Sequence, residues 1–231
     1  MILSSNAVVF YGITMSDSTI LKKDLFGEVR HSSYNGMPVV VRDCRPAATG
    51  LRWLARLMLR REARALAALE EVDGVPEIVR IERDRLIRSF LDGQPMQRGK
   101  PSDPAYFKAA ARMLRGLHRA GVAHNDLAKE PNLIVREDGS PGMIDFQLSW
   151  SVRRRSKLFR IAAREDLRHL LKHKRTYCPN RLSSREQAIL ARPSWLSVAW
   201  SKTAKPVYLV ITRRLLGWAD REGAGDRGER T

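Results

Sequence analysis

Apolar and polar positions along the chain change period at about residue 93. Before that point the alternation is strand-like: Leu25–Arg30 and Pro38–Arg42 predict two strands joined through Tyr34-Asn35-Gly36, a hairpin turn signal. Leu51 to about Leu69 predicts one long helix. Val79–Ile81 and Arg85–Leu91 predict two more strands, closing at Asp92-Gly93. From Asp103 the period becomes helical, with Tyr106, Phe107, Ala110, Met113, Leu114 and Leu117 on one face and Gly121 as the residue after the cap. Leu133–Val135 and Met143–Phe146 then flank Glu137-Asp138-Gly139 as a short hairpin. Helices follow near 164–174, 184–191 and 206–219, and the Gly-rich, charged stretch from Arg221 is expected to fray. The expected architecture is α+β: a small β-rich lobe with one helix, then a mainly helical lobe.

One position breaks the pattern. On the predicted helix, Leu51, Leu54, Ala55, Met58, Leu59, Ala65, Leu66 and Leu69 form an apolar stripe, and Glu62 falls in its middle. A buried carboxylate without a partner is costly, so Glu62 is expected to face a cation, with Arg42 at the end of Val39-Val40-Val41 as the candidate. An exposed Glu pairing with neighbouring arginines is the plainer alternative.

Composition adds charge. The chain of 231 residues carries 42 Lys+Arg against 25 Asp+Glu, a formal +17, with 43% apolar and 29% charged residues. That is globular, and the surplus attracts phosphate groups of some kind. Two cysteines, Cys44 and Cys178, form no disulfide framework. His169 and His173 lie four apart but amid Arg168, Lys172, Lys174 and Arg175, which suits a basic helix better than a metal site. The start shows no signal-peptide pattern, and no apolar run approaches the ~20 residues that span a bilayer. Met15 is an alternative start, since residues 1–14 fit no later pattern. The expected location is the cytoplasm, with peripheral attachment to the inner membrane face as an option.

The chemistry concentrates in His124-Asn125-Asp126-Leu127-Ala128-Lys129-Glu130-Pro131-Asn132 and in Ile144-Asp145-Phe146. A carboxylate that orients a hydroxyl, followed by an Asn and a second Asp as hard oxygen ligands, is the set that phosphoryl transfer from Mg²⁺-ATP needs. Together with Glu62 and a strand cation, these residues resemble the protein-kinase-like superfamily, in particular its small bacterial members, the RIO-type and lipopolysaccharide-core kinases. The resemblance runs from about Leu21 to Asp166. It implies a two-lobed fold, with residues 1–20 as an extension, lobes at 21–92 and 93–220 and a tail at 221–231, and with ATP and Mg²⁺ in the cleft.

The resemblance gives each residue a role. Asp126 is the residue that accepts or orients the acceptor hydroxyl, His124 buttresses the loop, and Asn132 and Asp145 hold the metal. Lys129 either touches the γ-phosphate or is a solvated lysine. Gly27, in Leu25-Phe26-Gly27-Glu28-Val29, stands where a phosphate loop usually carries three glycines. Arg42 and Glu62 are the phosphate-positioning pair, with Arg where Lys is usual and Lys22 or Lys23 as a substitute ammonium. Arg88-Ser89-Phe90-Leu91-Asp92-Gly93 is the hinge, with Ser89 and Leu91 beside adenine. Asp166 either braces the catalytic loop or is an N-terminal helix carboxylate. Three departures from the family pattern stand out: Asn132 is six residues after Asp126 rather than five, Arg42 replaces Lys, and Gln147 replaces the Gly after Asp-Phe, which removes a flexible hinge.

The implied activity is an ATP- and Mg²⁺-dependent serine/threonine-kinase-like phosphotransferase. A protein hydroxyl is the first acceptor and a lipopolysaccharide-core sugar the second; a pseudokinase is the non-enzymatic alternative. Arg153, Arg154, Arg155, Lys157 and Arg160, with Leu158 and Phe159 between them, form a basic-apolar run suited to an anionic glycolipid, a membrane face or a ribosomal particle. It is otherwise a solvated face. No nucleic-acid-binding motif accompanies it, so direct nucleic-acid binding is not expected.

Overall fold

The computed structural model describes residues 8–10 and 13–191. Two compact units result, Met1–Glu186 and a second from Gln187, of which only residues 187–191 are described. The expected helix at 206–219, the tail at 221–231 and Trp195, Trp200 and Trp218 lie outside the described residues.

The first unit opens with a six-stranded sheet in the order β1-β2-β3-β4-β6-β5, antiparallel throughout. Its strands are β1 (Val8–Phe10), β2 (Ile13–Asp24), β3 (Gly27–Tyr34), β4 (Met37–Asp43), β5 (Ile78–Ile81) and β6 (Arg85–Ser89). Two of them begin within the stretch expected as an extension, so residues 8–10 and 13–20 belong to the sheet. Strand β2 is not among the expected strands, since its apolar pattern is weak and backbone pairing with β3 carries it. Ile20 and Leu21 remain about half exposed. The β3–β4 hairpin turns through Asn35 (φ 49°) and Gly36 (φ 79°), the two positive φ values that an Asn-Gly turn supplies.

Between β4 and β5 lies α1 (Arg52–Ala68), whose buried face includes Ala55, Leu59, Glu62, Ala63, Ala65 and Leu66. Cross-strand register gives the sheet two faces. Val39, Val41 and Ile87 form a small apolar cluster on one. Val40, Arg42, Leu86 and Arg88 alternate onto the other, where Leu86 joins the same core as Leu59 and Leu66 of α1.

The remaining elements are β7 (Gln94–Pro95), α2 (Met96–Gly99), α3 (Pro104–Arg119), β8 (Val122–Ala123), β9 (Leu133–Val135), β10 (Pro141–Met143), β11 (Trp150–Ser151), α4 (Lys157–Tyr177) and α5 (Ser184–Ala191). Asp103 caps α3 by accepting from the Ala105 N–H, and Ser156 caps α4 by accepting from the Phe159 N–H. Helix α4 therefore starts seven residues before the expected 164, and this corrects the basic-apolar run. Phe159 is 1% exposed and belongs to the interior, leaving Leu158 as the apolar residue that faces solvent among Arg153–Arg160. No helix among the described residues is long and apolar enough to cross a membrane.

Candidate active site

Helix α3 delivers the chain to β8 through Gly121, at φ 80°. A Cβ there would meet the Val152 carbonyl oxygen at 2.2 Å, so only glycine allows β11 to close against β8. Immediately after β8 the chain enters the loop His124–Asn132, and the structure shows what holds it. Asp166, 1% exposed in the middle of α4, accepts from the backbone N–H of His124 (2.7 Å) and of Asn125 (2.8 Å), and lies 3.2 Å from His118 Nε2. The choice left open by the sequence resolves to the brace. Two backbone donors that the irregular loop cannot satisfy internally are met by one buried carboxylate.

His124 is fully buried and stacks near Phe146, 4.6 Å between ring centroids. Its Nε2 lies 3.0 Å from the Ile144 carbonyl oxygen, so that nitrogen carries the proton, and Nδ1 accepts from the Asp126 N–H at 3.3 Å. One ring thus ties Asp126 to the residue preceding Asp145. Two further contacts from α4 were not anticipated. His173 Nε2 donates to the Leu127 carbonyl oxygen (2.8 Å), and the Tyr177 hydroxyl donates to Glu130 Oε2 (2.8 Å). His173, read from sequence as one cation of a basic helix, is 7% exposed and supports the loop from below. The signal that would have revealed it is helical phase: Asp166, Leu170, His173 and Tyr177 recur at three to four residues.

The expected catalytic and metal residues come together. Asn132 Nδ2 donates to the Asp126 backbone oxygen (2.9 Å) and to Asp126 Oδ2 (3.0 Å), and Lys129 Nζ lies 3.1 Å from the same Oδ2. The Asp126 side chain is 12% exposed, open on one side. Spending its amide nitrogen on Asp126 leaves the Asn132 amide oxygen as the group offered outward. The Ile144 N–H donates to the Asn132 backbone oxygen (3.0 Å), which fixes Asp145 beside it. Asp145 sits at φ 66°, ψ 67°, an unusual conformation for a non-glycine residue, and its side chain caps nothing in the turn Phe146–Leu148. Two oxygen ligands suit Mg²⁺ bound with a nucleotide, which takes one or two protein ligands and its remaining oxygens from phosphate and water.

The phosphate-positioning pair differs from expectation. Glu62 is fully buried, as its place in the stripe required, but its partner is Arg88 of β6, with Nε 3.2 Å from Oε1. Arg42, 4% exposed, forms no ion pair with it. The reason is register: Arg88 stands opposite Val40 and Arg42 opposite Leu86, so both guanidiniums share the α1 face. Burial pushes the Glu62 carboxyl up; Arg88 first and Arg42 second pull it back, and Asp145 is near enough to add to the rise. Arg42 Nε, Arg88 Nε and both Glu62 oxygens lack a well-aligned hydrogen bond, a buried polar cluster with capacity left for an anion.

Three other expected contacts have local structural jobs. Gly27, at φ 121°, presses on β4 so closely that a Cβ would lie 2.1 Å from the Asp43 carbonyl oxygen, and Leu25-Phe26 make a tight turn rather than an open phosphate loop. Ser89 exchanges hydrogen bonds with Glu77, its N–H donating to the carbonyl oxygen at 2.8 Å and its hydroxyl accepting at 2.9 Å. Leu91 lies over Gly142, where a Cβ would meet it at 2.4 Å. Lys22 lies 3.7 Å from Asp24 on the exposed start of the sheet. The contact sets of Gly27 and Ser89 do not by themselves mark a nucleotide.

No family model matches the chain, and no curated protein sequence does. Among solved structures it is similar to the Rio2 kinase from Chaetomium thermophilum, at 17% sequence identity and a TM-score of 0.58, over 90% of this chain and 74% of that one. An antiparallel β-rich part with one helix, followed by a mainly helical part, gives this chain a protein-kinase-like fold.

Proposed function

We propose that the chain is an ATP- and Mg²⁺-dependent kinase that transfers the γ-phosphate to a hydroxyl, with a smaller lobe that ends at residue 92 and whose sheet reaches back before residue 21, and the larger lobe beginning at 93. The observation that carries this reading is the single network Asp166–His124–Asp126–Asn132–Ile144, which fixes a partly open carboxylate beside two oxygen ligands. Mg²⁺-ATP supplies the phosphoryl group and the charge neutralisation. Asp126 orients the acceptor hydroxyl and takes up its proton as the oxygen–phosphorus bond forms and the bond from the γ-phosphorus to the β–γ bridging oxygen breaks, with ADP as the leaving group. The Asn132 amide oxygen and the Asp145 carboxylate offer the metal ligands, Arg42 a phosphate contact, and Lys129 a second cation over the transferred group. In this reading the chain at Ser89 and Leu91 meets adenine and the turn before Gly27 borders the phosphates.

For the acceptor, a protein Ser/Thr hydroxyl is the first reading. The exposed run Arg153, Arg154, Arg155, Lys157 and Arg160 supports a second, an anionic glycolipid sugar. These cations follow β11, whose antiparallel pairing with β8 carries the chain past Val122 and Gly121, away from the loop that begins at His124, so a glycolipid docked there would have to reach back to the site. In ATP-consumption assays Asp126→Ala is expected to abolish transfer while ATP affinity persists, whereas Asp145→Asn weakens Mg²⁺-ATP binding itself. Equal residual activity in both variants would refute the assignment. Nucleotide binding without consumption, with acidic protein and core glycolipid both supplied, would make the chain a pseudokinase.

A further inference from the structure

Arg42, Glu62 and Arg88 are 4%, 0% and 7% exposed, and one carboxylate cannot neutralise two guanidiniums. The surplus positive charge sits on the sheet face that packs on α1, near Asp145. The division within the trio is unequal. Both arginines keep Nε without an aligned acceptor, but Arg88 lies 3.2 Å from Glu62 as its ion pair, while Arg42 neighbours the Cys44 thiol. A buried cation with an unmet donor is costly unless an anion completes it.

We infer that Arg88 is a positioning residue: by holding Glu62 it leaves the Arg42 guanidinium for a nucleotide phosphate. The inference rests on the nucleotide reading above. Had Glu62 engaged Arg42, carboxylate and phosphate would compete for the same fork of donors. With Arg88 as the standing counter-charge, α1 stays anchored whether or not phosphate is bound. Without Arg88, the fully buried Glu62 loses its first partner, and Arg42, one diagonal away across β4 and β6, is the cation left to take its place. Phosphate binding then falls because Arg42 is diverted. Neutralising Glu62 as well releases Arg42 again.

This reversal is the test. A fluorescent ATP analogue is titrated with Mg²⁺ into the wild-type chain, Arg88→Met, Glu62→Gln/Arg88→Met and Arg42→Met. Arg88→Met should bind about tenfold more weakly, the double variant within about threefold of wild type, and Arg42→Met weakly with or without Glu62→Gln. A double variant no tighter than Arg88→Met overturns the inference, as does an Arg88→Met that binds like wild type. If Arg88→Met does not fold, Arg88→Gln, which removes the charge but keeps a polar side chain, is read alone and with Glu62→Gln by the same criteria. If the wild type binds no nucleotide, the reading of the site fails; the pairing is then judged by double-mutant cycles in urea unfolding. Coupling of Glu62 to Arg88 must exceed its coupling to Arg42, and equal or reversed couplings overturn it.

Discussion

Replacing Asp166 tests the link between fold and site. In the wild type this carboxylate accepts from two backbone N–H groups at 2.7 and 2.8 Å and faces His118, at 1% exposure. Asp166→Ala leaves the buried His124 N–H and the part-buried Asn125 N–H without an acceptor, at about 1–3 kcal/mol for the first and less for the second, so the expected loss is about 2–4 kcal/mol. Against a total stability of about 5–15 kcal/mol for an ordinary domain, this is a large fraction. Asp166→Asn keeps one carbonyl oxygen but turns amide hydrogens toward the second donor, and should fall between. The effect on turnover should be larger, because Asp126 follows the two tethered residues directly and a shift of ~1 Å costs ~100-fold. Urea unfolding at constant m-value gives the stability, and initial ATP turnover below the unfolding transition gives the activity. A loss under about 1 kcal/mol, the size of a helix-dipole effect, with turnover intact would refute the reasoning and leave the loop to His124 and Asn132.

Gly27→Ala is expected to lose about 2–4 kcal/mol by urea unfolding, since the new Cβ meets the Asp43 carbonyl at 2.1 Å in a backbone region closed to alanine; an unchanged midpoint contradicts this. Arg56 holds the Asp84 carboxyl below its usual value, so this pair stabilises the fold above about pH 4 and the contribution is lost as pH falls through the lowered value. Asp84→Asn should therefore trail the wild type near pH 7, with the gap narrowing progressively as pH falls below about 4, and a constant gap in urea midpoints would count against the pairing. Lys129 is 57% exposed, so Lys129→Met should change stability by no more than about 0.5 kcal/mol, yet lower kcat if its ammonium meets the transferred group. A fall in kcat matched by an equal loss of stability would make its role structural.

Local signals were readable in the sequence, and partners brought together from a distance were less so. The apolar stripe placed Glu62 inside because helical phase is a local property, and Asn35-Gly36 set its turn by backbone preference alone. The partner of Glu62 was misassigned to Arg42 because Arg88 reaches it only through β4–β6 register, which no single segment encodes. Asp166 stayed ambiguous until Ser156 was seen to cap α4 ten residues earlier, which makes it a mid-helix residue rather than a terminal one. Phe159 followed the charges around it in the reading and the core in the structure, because a short basic run hides a single inward position. The catalytic loop itself was legible because its chemistry is carried by residue identity at fixed spacing.

The stitch between β8 and β11 has a consequence for control. Ser151 pairs with Val122, the Val152 N–H donates to the Gly121 carbonyl oxygen, and Ser156 already caps the next helix. Little slack remains between Asp145 and that cap, and Gln147 stands where a hinge glycine would allow the backbone to flip. A segment pinned at both ends offers little free loop for a phosphate to reorganise and little room for Asp145 to swing away. Such a site is assembled once, when the chain folds. Its output would then be governed by which acceptors reach it, rather than by an on–off switch in the chain.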